Sequence, residues 1–594
     1  MNERKLKRKG AEFFISETTP EAVFTPEDLT DEHQMIANLA SDFVEREVRP
    51  KNEQIENQEF EVVVTLLKKA GELGLLGHSV PEEYGGLGLD KVTKGIVGEA
   101  LAKGGGSYAV AHNNHTCIAT LPITYFGTPE QKAKYLPKLA SGEYLGAYCL
   151  TEPSAGSDAL DVKTTANLND ANTHYVLNGT KQFITNADFA DTFIVYAIID
   201  GDKFTTFIVE KDFPGLTLGP EEKKMGIKGS STRQVYLEDC LVPIENVLGQ
   251  IGRGHTIAFG VLNLGRFNLG GSAMGGAKSA LEMTVDYVTE RRQFGKTLAS
   301  FRATQEKVAN MASRIYAAES IQYRTADLIE EALGGLYTET DPAVVSDALS
   351  EFALECSVCK VFGSETLDMV SDEGLQLHGG YGFIQEYPIE QAYRDSRINR
   401  IFEGTNEINR LLIPGTLLRK ARTGKLDIQG AMVKATTELY NDPQTVEYSN
   451  ESLDRELDAV ATIRKIFLGL TGLAVQEFGE KLDEEQEILM KLADIGIELY
   501  ASESIVLRTL KAIQQNGWKS EQMKVDLTRS YLQHSLLIVE TSARKVLSGL
   551  VSDEQQEEIR ELLYRHLARL TAPGGILRNR SIAKRVLDAG LYIS

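Results

Sequence analysis

The hydrophobic period of this 594-residue chain changes twice, and those changes set its architecture. Met35, Ile36, Leu39, Phe43, Val44 and Val48 recur at helical spacing, as do Val64, Leu66, Leu67 and Ala70. Residues 31–146 therefore read as an α-helical domain, interrupted by a loop at residues 81–86. Near residue 147 the period falls to two. Residues 174–177, then Asn178-Gly179, then residues 180–185 have the form of a hairpin, and residues 192–199, 204–209 and 235–237 read as strands. Residues 147–255 thus read as a compact β domain. Helical spacing returns over residues 256–420, where Gly270, Gly271, Gly275 and Gly276 permit close helix contact at ~1 kcal/mol each in helix propensity. Residues 421–450, broken by Asp442-Pro443, read as a linker, and residues 451–594 as an additional α-helical domain. Residues 1–30 read as a loosely ordered arm ending in a helix start at Pro26-Glu27-Asp28. The fold class is α+β, mostly α.

Charge and cysteine content narrow the function. A net charge of −22 disfavours a nucleic-acid partner but leaves small anionic ligands open, because local groups hold those. Five scattered cysteines do not make a disulfide scaffold, and no run approaches the ~18 apolar residues of a membrane span. Lys5, Lys7, Arg8 and Lys9 precede no apolar segment, and Glu3, Glu12 and Glu17 argue against a mitochondrial presequence. A reduced, cytoplasmic protein is expected. Gly295-Lys296-Thr297 lacks the upstream glycine of a phosphate loop, since Glu290 stands there, and Gln385 replaces the last glycine of a dinucleotide loop after Gly380-Tyr381-Gly382. The pairs Cys356/Cys359 and His112/His115 lack further ligands nearby in sequence, so structural roles and no metal are expected.

Three segments carry candidate chemistry. Tyr148–Asp158, rich in hydroxyls and small residues, exposes N–H groups suited to phosphate or a polar ring edge, although an ordinary capped turn would look the same. Phe183 and Thr185 share one face of a strand end, where a ring and a hydroxyl suit a flat heterocycle, or a core Phe with a surface Thr. Glu403 follows Ile401-Phe402 and precedes Gly404 at a helix start. Its apolar flank raises a carboxyl pKa toward that of a general base, while a helix N-terminus lowers it; an exposed first-turn acid is the plain alternative.

In this order, and with Arg291-x-x-Phe294-Gly295, Gln376-x-x-Gly379-Gly380-x-Gly382-Phe383 and Arg394-Asp395-x-x-Ile398, these segments resemble the acyl-CoA dehydrogenase family over residues 30–420. The helical region after 430 resembles its very-long-chain branch. The resemblance implies an N-terminal α domain, a barrel-like middle β domain, a C-terminal four-helix α domain and FAD between the last two. It implies that Tyr148, Leu150, Thr151, Gly156, Ser157, Phe183, Thr185, Thr405 and Asn406 bind the cofactor. It also implies that Arg291, Phe294, Gln376 and Gly380 bind its adenine–pyrophosphate half across a homodimer interface. Ser157, Ser230, Ser231, Thr232, Arg233, Phe402 and Gly404 would line the acyl-CoA substrate, and Glu403 would be the catalytic base. In some relatives the base sits instead on the helix carrying Arg233; here the preceding position is Thr232, which cannot do that work. The implied reaction is α,β-dehydrogenation of fatty acyl-CoA in β-oxidation, with electrons passed to an electron-transferring flavoprotein. Asp161, Gln391 and Arg302 depart from the residues usual in relatives, which have a small, a basic and a glutamine side chain at these positions.

Competing readings are an acyl-CoA oxidase using oxygen, a non-catalytic lipid-binding or assembly scaffold, and a DNA-associated flavoprotein. The last is disfavoured because residues 431–594 carry 20 basic and 25 acidic side chains. One further expectation is peripheral contact with anionic lipid, through Ile463–Val475 or through Arg565, Arg569, Arg578, Arg580, Lys584 and Arg585, with inter-domain packing as the alternative.

Overall fold

A computed structural model describes residues 8–443, 446–550 and 553–594. Helices α1 (Asp31–Phe43), α2 (Asn52–Glu56), α3 (Phe60–Glu72), α4 (Lys91–Ala102), α5 (Gly106–Asn113), α6 (Leu121–Phe126) and α7 (Pro129–Ser141) come first. Thr30 caps α1 by accepting the His33 N–H at 3.2 Å. Thr128 caps α7, with Pro129 at its first position and left-handed Gly142 beyond its end. The α3 stripe Val63, Leu66, Leu67 and Ala70 is buried at helical spacing.

Strands β1 (Gly146–Cys149), β2 (Thr165–Leu168), β3 (His174–Thr185), β4 (Thr192–Ile199), β5 (Lys203–Glu210), β6 (Leu216–Glu221), β7 (Thr232–Pro243) and β8 (Val247–Leu248) form one sheet in the order β6-β7-β3-β2-β4-β5-β8, with β1 parallel to β4. β4 is apolar on both faces because both are covered: Phe193, Val195 and Ala197 enter the sheet's own core, and Ile194 and Tyr196 join the helical core. The expected hairpin at Asn178-Gly179 is absent. Neither residue has the positive φ of a tight hairpin turn, and β3 runs straight through, with a bulge between Leu177 and Gly179 against β7. Glycine serves close approach here, since a Cβ on Gly179 would lie 2.3 Å from Thr164 Oγ1.

Next come α8 (Gly254–Glu290), α9 (Arg302–Leu333), α10 (Pro342–Glu351), α11 (Ala353–His378), α12 (Ile389–Ser396) and α13 (Asn406–Arg422). The glycines of α8 let its neighbours touch its backbone. A Cβ on Gly270 would lie 2.7 Å from the Cys359 carbonyl oxygen, and one on Gly275 would lie 2.1 Å from that of Glu99. The last group is α14 (Ile428–Leu439), α15 (Asp454–Phe478), α16 (Gln486–Asn516), α17 (Gln522–Leu550), α18 (Asp553–Ala568) and α19 (Gly575–Ala589).

Two expectations are corrected, and Ile463–Val475 takes the inter-domain packing given as its alternative. The linker reading of 421–450 gives way to α14, which buries Ile428, Met432, Ala435 and Leu439 and packs the last three against Gly469 and Gly472 of α15. The arm, from residue 8 onward, is a packed element. Phe13 and Phe14 lie 4.6 Å from Tyr500 and 4.3 Å from Phe467, and Arg8 pairs with Asp327 and Glu331. The arm therefore bridges α9 to the additional domain. Ile463–Val475 faces inward: Ile463, Ile466, Phe467 and Leu470 are buried, and Arg464 pairs with Glu503 at 2.5 Å while donating to the Phe13 carbonyl. In the second basic segment Arg565, Arg569, Lys584 and Arg585 pair with Asp442, Asp458, Asp588 and Asp526.

All five cysteines are free and buried, and no metal-holding cluster occurs among the described residues. His112 and His115 hydrogen-bond the Leu75 and Leu139 carbonyls, at 3.1 and 2.9 Å. Burial pushes their pKa values down to about 3 and about 4, so both are neutral core groups. Among the described residues no helix is long and apolar enough to cross a membrane.

Candidate active site

A cavity of about 930 Å³ runs between the β domain, the α5 segment, α8, α11, α12 and the start of α13. Its size suits a bound organic ligand. Tyr148, Leu150, Thr151, Gly156, Ser157, Phe183, Thr185, Phe402, Glu403 and Gly404 all line it.

The β wall is built by local bolts. Lys181 of β3 is fully buried and donates to Glu152 Oε1 at 2.7 Å, and the Gln182 N–H donates to the Thr151 carbonyl at 2.8 Å. These contacts fix the loop after β1 against β3. The β3–β7 register shifts again between Lys181 and Ile184. At that bulge Phe183 takes a left-handed φ of 57° and turns a 62% exposed ring toward the cavity, while Ile184 is buried.

The opposite wall carries Glu403, whose φ of 59° is also left-handed. That costs a non-glycine residue ~1–2 kcal/mol. The Asn409 amide holds the turn by donating to the Glu403, Gly404 and Thr405 carbonyls at 3.4, 2.8 and 3.0 Å. The turn throws the carboxyl against α8, where Gly265 makes room: a Cβ there would lie 2.6 Å from Glu403 Oε2. Oε2 is buried without a hydrogen-bond partner. Burial pushes the carboxyl pKa up to about 7, against the pull of Arg266 and Lys360. Arg266 donates to the Glu403 carbonyl at 3.3 Å and to Asn263 Oδ1 at 2.9 Å. Lys360 of α11 is completely buried and donates to Asn406 Oδ1 at 2.7 Å; burial lowers its pKa to about 7. A carboxyl that titrates near neutrality, with one free oxygen on a ligand cavity, can take a proton from a bound molecule.

The other expected residues lie elsewhere. Thr405 caps α13 through Ile408 N–H, and Asn406 turns toward Ser364 and Glu365. Ser230, Ser231, Thr232 and Arg233 do not line the cavity, because Glu221 takes the Ser231 hydroxyl, the Thr232 N–H and the Arg233 guanidinium. Thr232 and Arg233 begin strand β7 rather than sitting on a helix; the helical residue facing the Glu403 carboxyl is Gly265. Arg291, Phe294, Gln376 and Gly380 lie at or just past the C-terminal ends of α8 and α11 and do not line the cavity. There Arg291 lies over Tyr381 at 5.2 Å, and Phe294 and Phe383 are 92% and 85% exposed. Sequence reasoning missed Gly265, Arg266, Lys360 and Asn409. The one local signal was an arginine in the glycine-rich first half of α8, a stretch with no other Lys, Arg, Asp or Glu.

Four family profiles match in chain order: acyl-CoA dehydrogenase N-terminal domain over residues 30–143, middle domain over 147–240, C-terminal domain over 252–418, and a second C-terminal domain over 462–564. The chain belongs to the acyl-CoA dehydrogenase family. It is 50% identical over 589 residues to the probable acyl-CoA dehydrogenase of Bacillus subtilis (strain 168), covering 98% of each. It is 32% identical over 605 residues to the human mitochondrial very long-chain specific acyl-CoA dehydrogenase, covering 97% of this chain and 87% of that one. An acyl-CoA dehydrogenase complexed with FAD from Bacillus anthracis superposes with a TM-score of 0.94 at 50% identity, over 99% of this chain and 100% of that one. Butyryl-CoA dehydrogenase from Megasphaera elsdenii gives 0.60 at 37% identity, over 66% of this chain and 99% of that one. A family member can therefore do without the additional helices, and the Bacillus and very-long-chain relatives match across them.

Proposed function

We propose that the chain catalyses FAD-dependent α,β-dehydrogenation of long-chain acyl-CoA, with Glu403 as the base. The observation that carries this is the Glu403 carboxyl: enclosed, near-neutral in pKa, and with Oε2 free toward the cavity. The β wall fits a flavin. Thr151, Ser157 and Thr185 supply polar edges, Tyr148 has a buried hydroxyl without a partner, Phe183 offers a ring face, and nothing lies within 4 Å of a Cβ built on Gly156. When bound, FAD supplies the acceptor for the hydride that leaves the β carbon.

Glu403 in its carboxylate form takes the α proton. The Glu403 N–H has no acceptor within the described chain, and the left-handed turn at Glu403-Gly404 presents it to the cavity, where it can stabilise a developing enolate oxygen. Arg266 holds that backbone turn through the Glu403 carbonyl. The cavity wall supports a long acyl chain. Past Glu403 the cavity continues along Ala109 and Val110 on one side and Leu269, Ala273 and Gly276 on the other. The eleven steps from Gly265 to Gly276 span ~16 Å of helix, and small side chains leave that depth open. The exposed Phe294–Phe383 face beside Arg291, Gln376 and Gly380 reads as a homodimer contact that completes the cofactor's adenine half. Electrons pass to an electron-transferring flavoprotein, and the five free thiols suit a reducing cytoplasm.

Anaerobic flavin bleaching across a series of acyl-CoA lengths tests the reading. Glu403→Gln should slow bleaching by about 10²–10⁴-fold. Bleaching at the normal rate would mean that another group takes the proton.

A further inference from the structure

The far end of the acyl channel is polar. The cavity that Ala109, Val110, Leu269 and Ala273 line is also lined by Asn52, Gln391 and Asp395, and by the exposed Arg49. These side chains are linked. Asn52 Nδ2 donates to Gln391 Oε1 at 2.9 Å, and Gln391 Nε2 makes a long 3.5 Å contact with Asp395 Oδ2. Asp395 Oδ1 accepts the Ile227 N–H at 2.5 Å. The glycine turn before α5 brings them to the channel: a Cβ on Gly105 would lie 3.1 Å from Asn52 Oδ1, and one on Gly106 would lie 3.0 Å from Asp395 Oδ2.

Asp395 is 6% exposed and has no cation of its own. Arg394 is taken by Glu390, and Lys224 by the Ser230 carbonyl and the Thr232 hydroxyl. Burial, and then neighbouring Glu56, push the Asp395 carboxyl up to about 7. Oδ2 is thus a buried acceptor with one weak donor, at the place where a plain alkyl chain would put a methyl group. An alkyl end there displaces water and returns no hydrogen bond. A hydroxyl can donate to Asp395 Oδ2 and accept from Gln391 Nε2. A carboxylate would face Asp395 and Glu56 as like charges.

We propose that Asn52, Gln391 and Asp395 form a subsite for a hydroxyl at the far end of the acyl chain, and that the substrate class includes long-chain acyl-CoAs hydroxylated at or near the terminal carbon. The proposal rests on the dehydrogenase reading, with the same bonds broken and formed at Cα and Cβ.

The test is anaerobic bleaching of the FAD holoenzyme with matched plain and terminally hydroxylated saturated acyl-CoAs over a range of lengths. At the length that reaches the cluster, kcat/KM should favour the hydroxylated chain by about tenfold, and shorter pairs should show no preference. Gln391→Leu should bring that ratio to about one; the wild-type series stands alone if the variant does not fold. A ratio of one or less at every length would overturn the subsite while leaving the dehydrogenase reading intact. A terminal carboxylate preferred over the hydroxyl would overturn the assignment in favour of the Arg49 charge. No bleaching by any acyl-CoA, plain or hydroxylated, would strike the parent reading instead.

Discussion

Two of the regions of this chain that bury charge treat it in opposite ways. Where the additional helices meet the core, one cluster of buried charges is mutually paired. Arg508 reaches Glu27 and Glu319 at 2.8 and 2.7 Å, Lys278 joins Glu319 to Glu99, and Tyr592 donates to Glu319. Burial alone would raise the Glu319 pKa, yet Lys278 and Arg508 hold it well below the usual carboxylate range. Around the cavity the partners are withheld. Glu403 Oε2, Tyr148 Oη and Asn409 Oδ1 are buried without hydrogen bonds, and burial outweighs Arg266 and Lys360 at Glu403. A fully paired cluster fixes one structure; a half-paired one keeps a group near its titration point for a ligand to use.

The sharpest way to break this contrast is to remove one acid from the paired cluster. Glu319→Gln leaves Arg508 and Lys278 buried with half their partners and should cost about 3–5 kcal/mol in chemical unfolding followed by circular dichroism. Its native stability should also depend on pH. A carboxyl held low contributes stability that is full above the ordinary carboxylate range and is lost as pH falls below it; the variant should lose that slope. A cost under about 1 kcal/mol would show that the apolar packing of the arm and α15–α17, not the charges, joins the domains.

Gly265→Ala tests the cavity side with the opposite pattern. The added Cβ meets Glu403 Oε2 at 2.6 Å and must displace the carboxyl. Misplacement on the ångström scale costs about 10²-fold in bleaching rate. Stability should hold or rise, because alanine gains up to ~1 kcal/mol of propensity inside a helix. Unchanged bleaching would mean that the carboxyl has room to work from another position.

The two kinds of site differ in how far a sequence exposes them. Leu150–Asp158, Phe183–Thr185 and Phe402–Gly404 were legible because each wall is made by consecutive residues whose types carry the chemistry. Gly265, Arg266 and Lys360 were not, because α8, α11 and α13 bring them together across more than a hundred residues. Asn178-Gly179 misled because its glycine answers to Thr164 in space, not to a turn in sequence. Ser231–Arg233 misled because the consumer of their donors, Glu221, lies on another strand. The helical spacing of Ile428, Met432, Ala435 and Leu439 was present but short, and a polar surround hid it.

The smallest effect is the most diagnostic of a tuned rather than merely buried carboxyl. Only the carboxylate form of Glu403 takes a proton, so bleaching should be slow in acid, rise with pH through about 7, and level off above it. Lys360 stabilises that carboxylate, so Lys360→Met should move the midpoint to higher pH. The shift should be a fraction of a pH unit for two reasons. Arg266 keeps its charge throughout, and Lys360, itself lowered to about 7 by burial, sheds its proton over the range in which Glu403 becomes anionic. Lys360→Arg, which keeps the cation, should restore the wild-type midpoint. A lower rate at every pH with an unmoved midpoint would make Lys360 a support for Asn406 and the α13 terminus alone, and the near-neutral carboxyl would then owe its position to desolvation against Arg266.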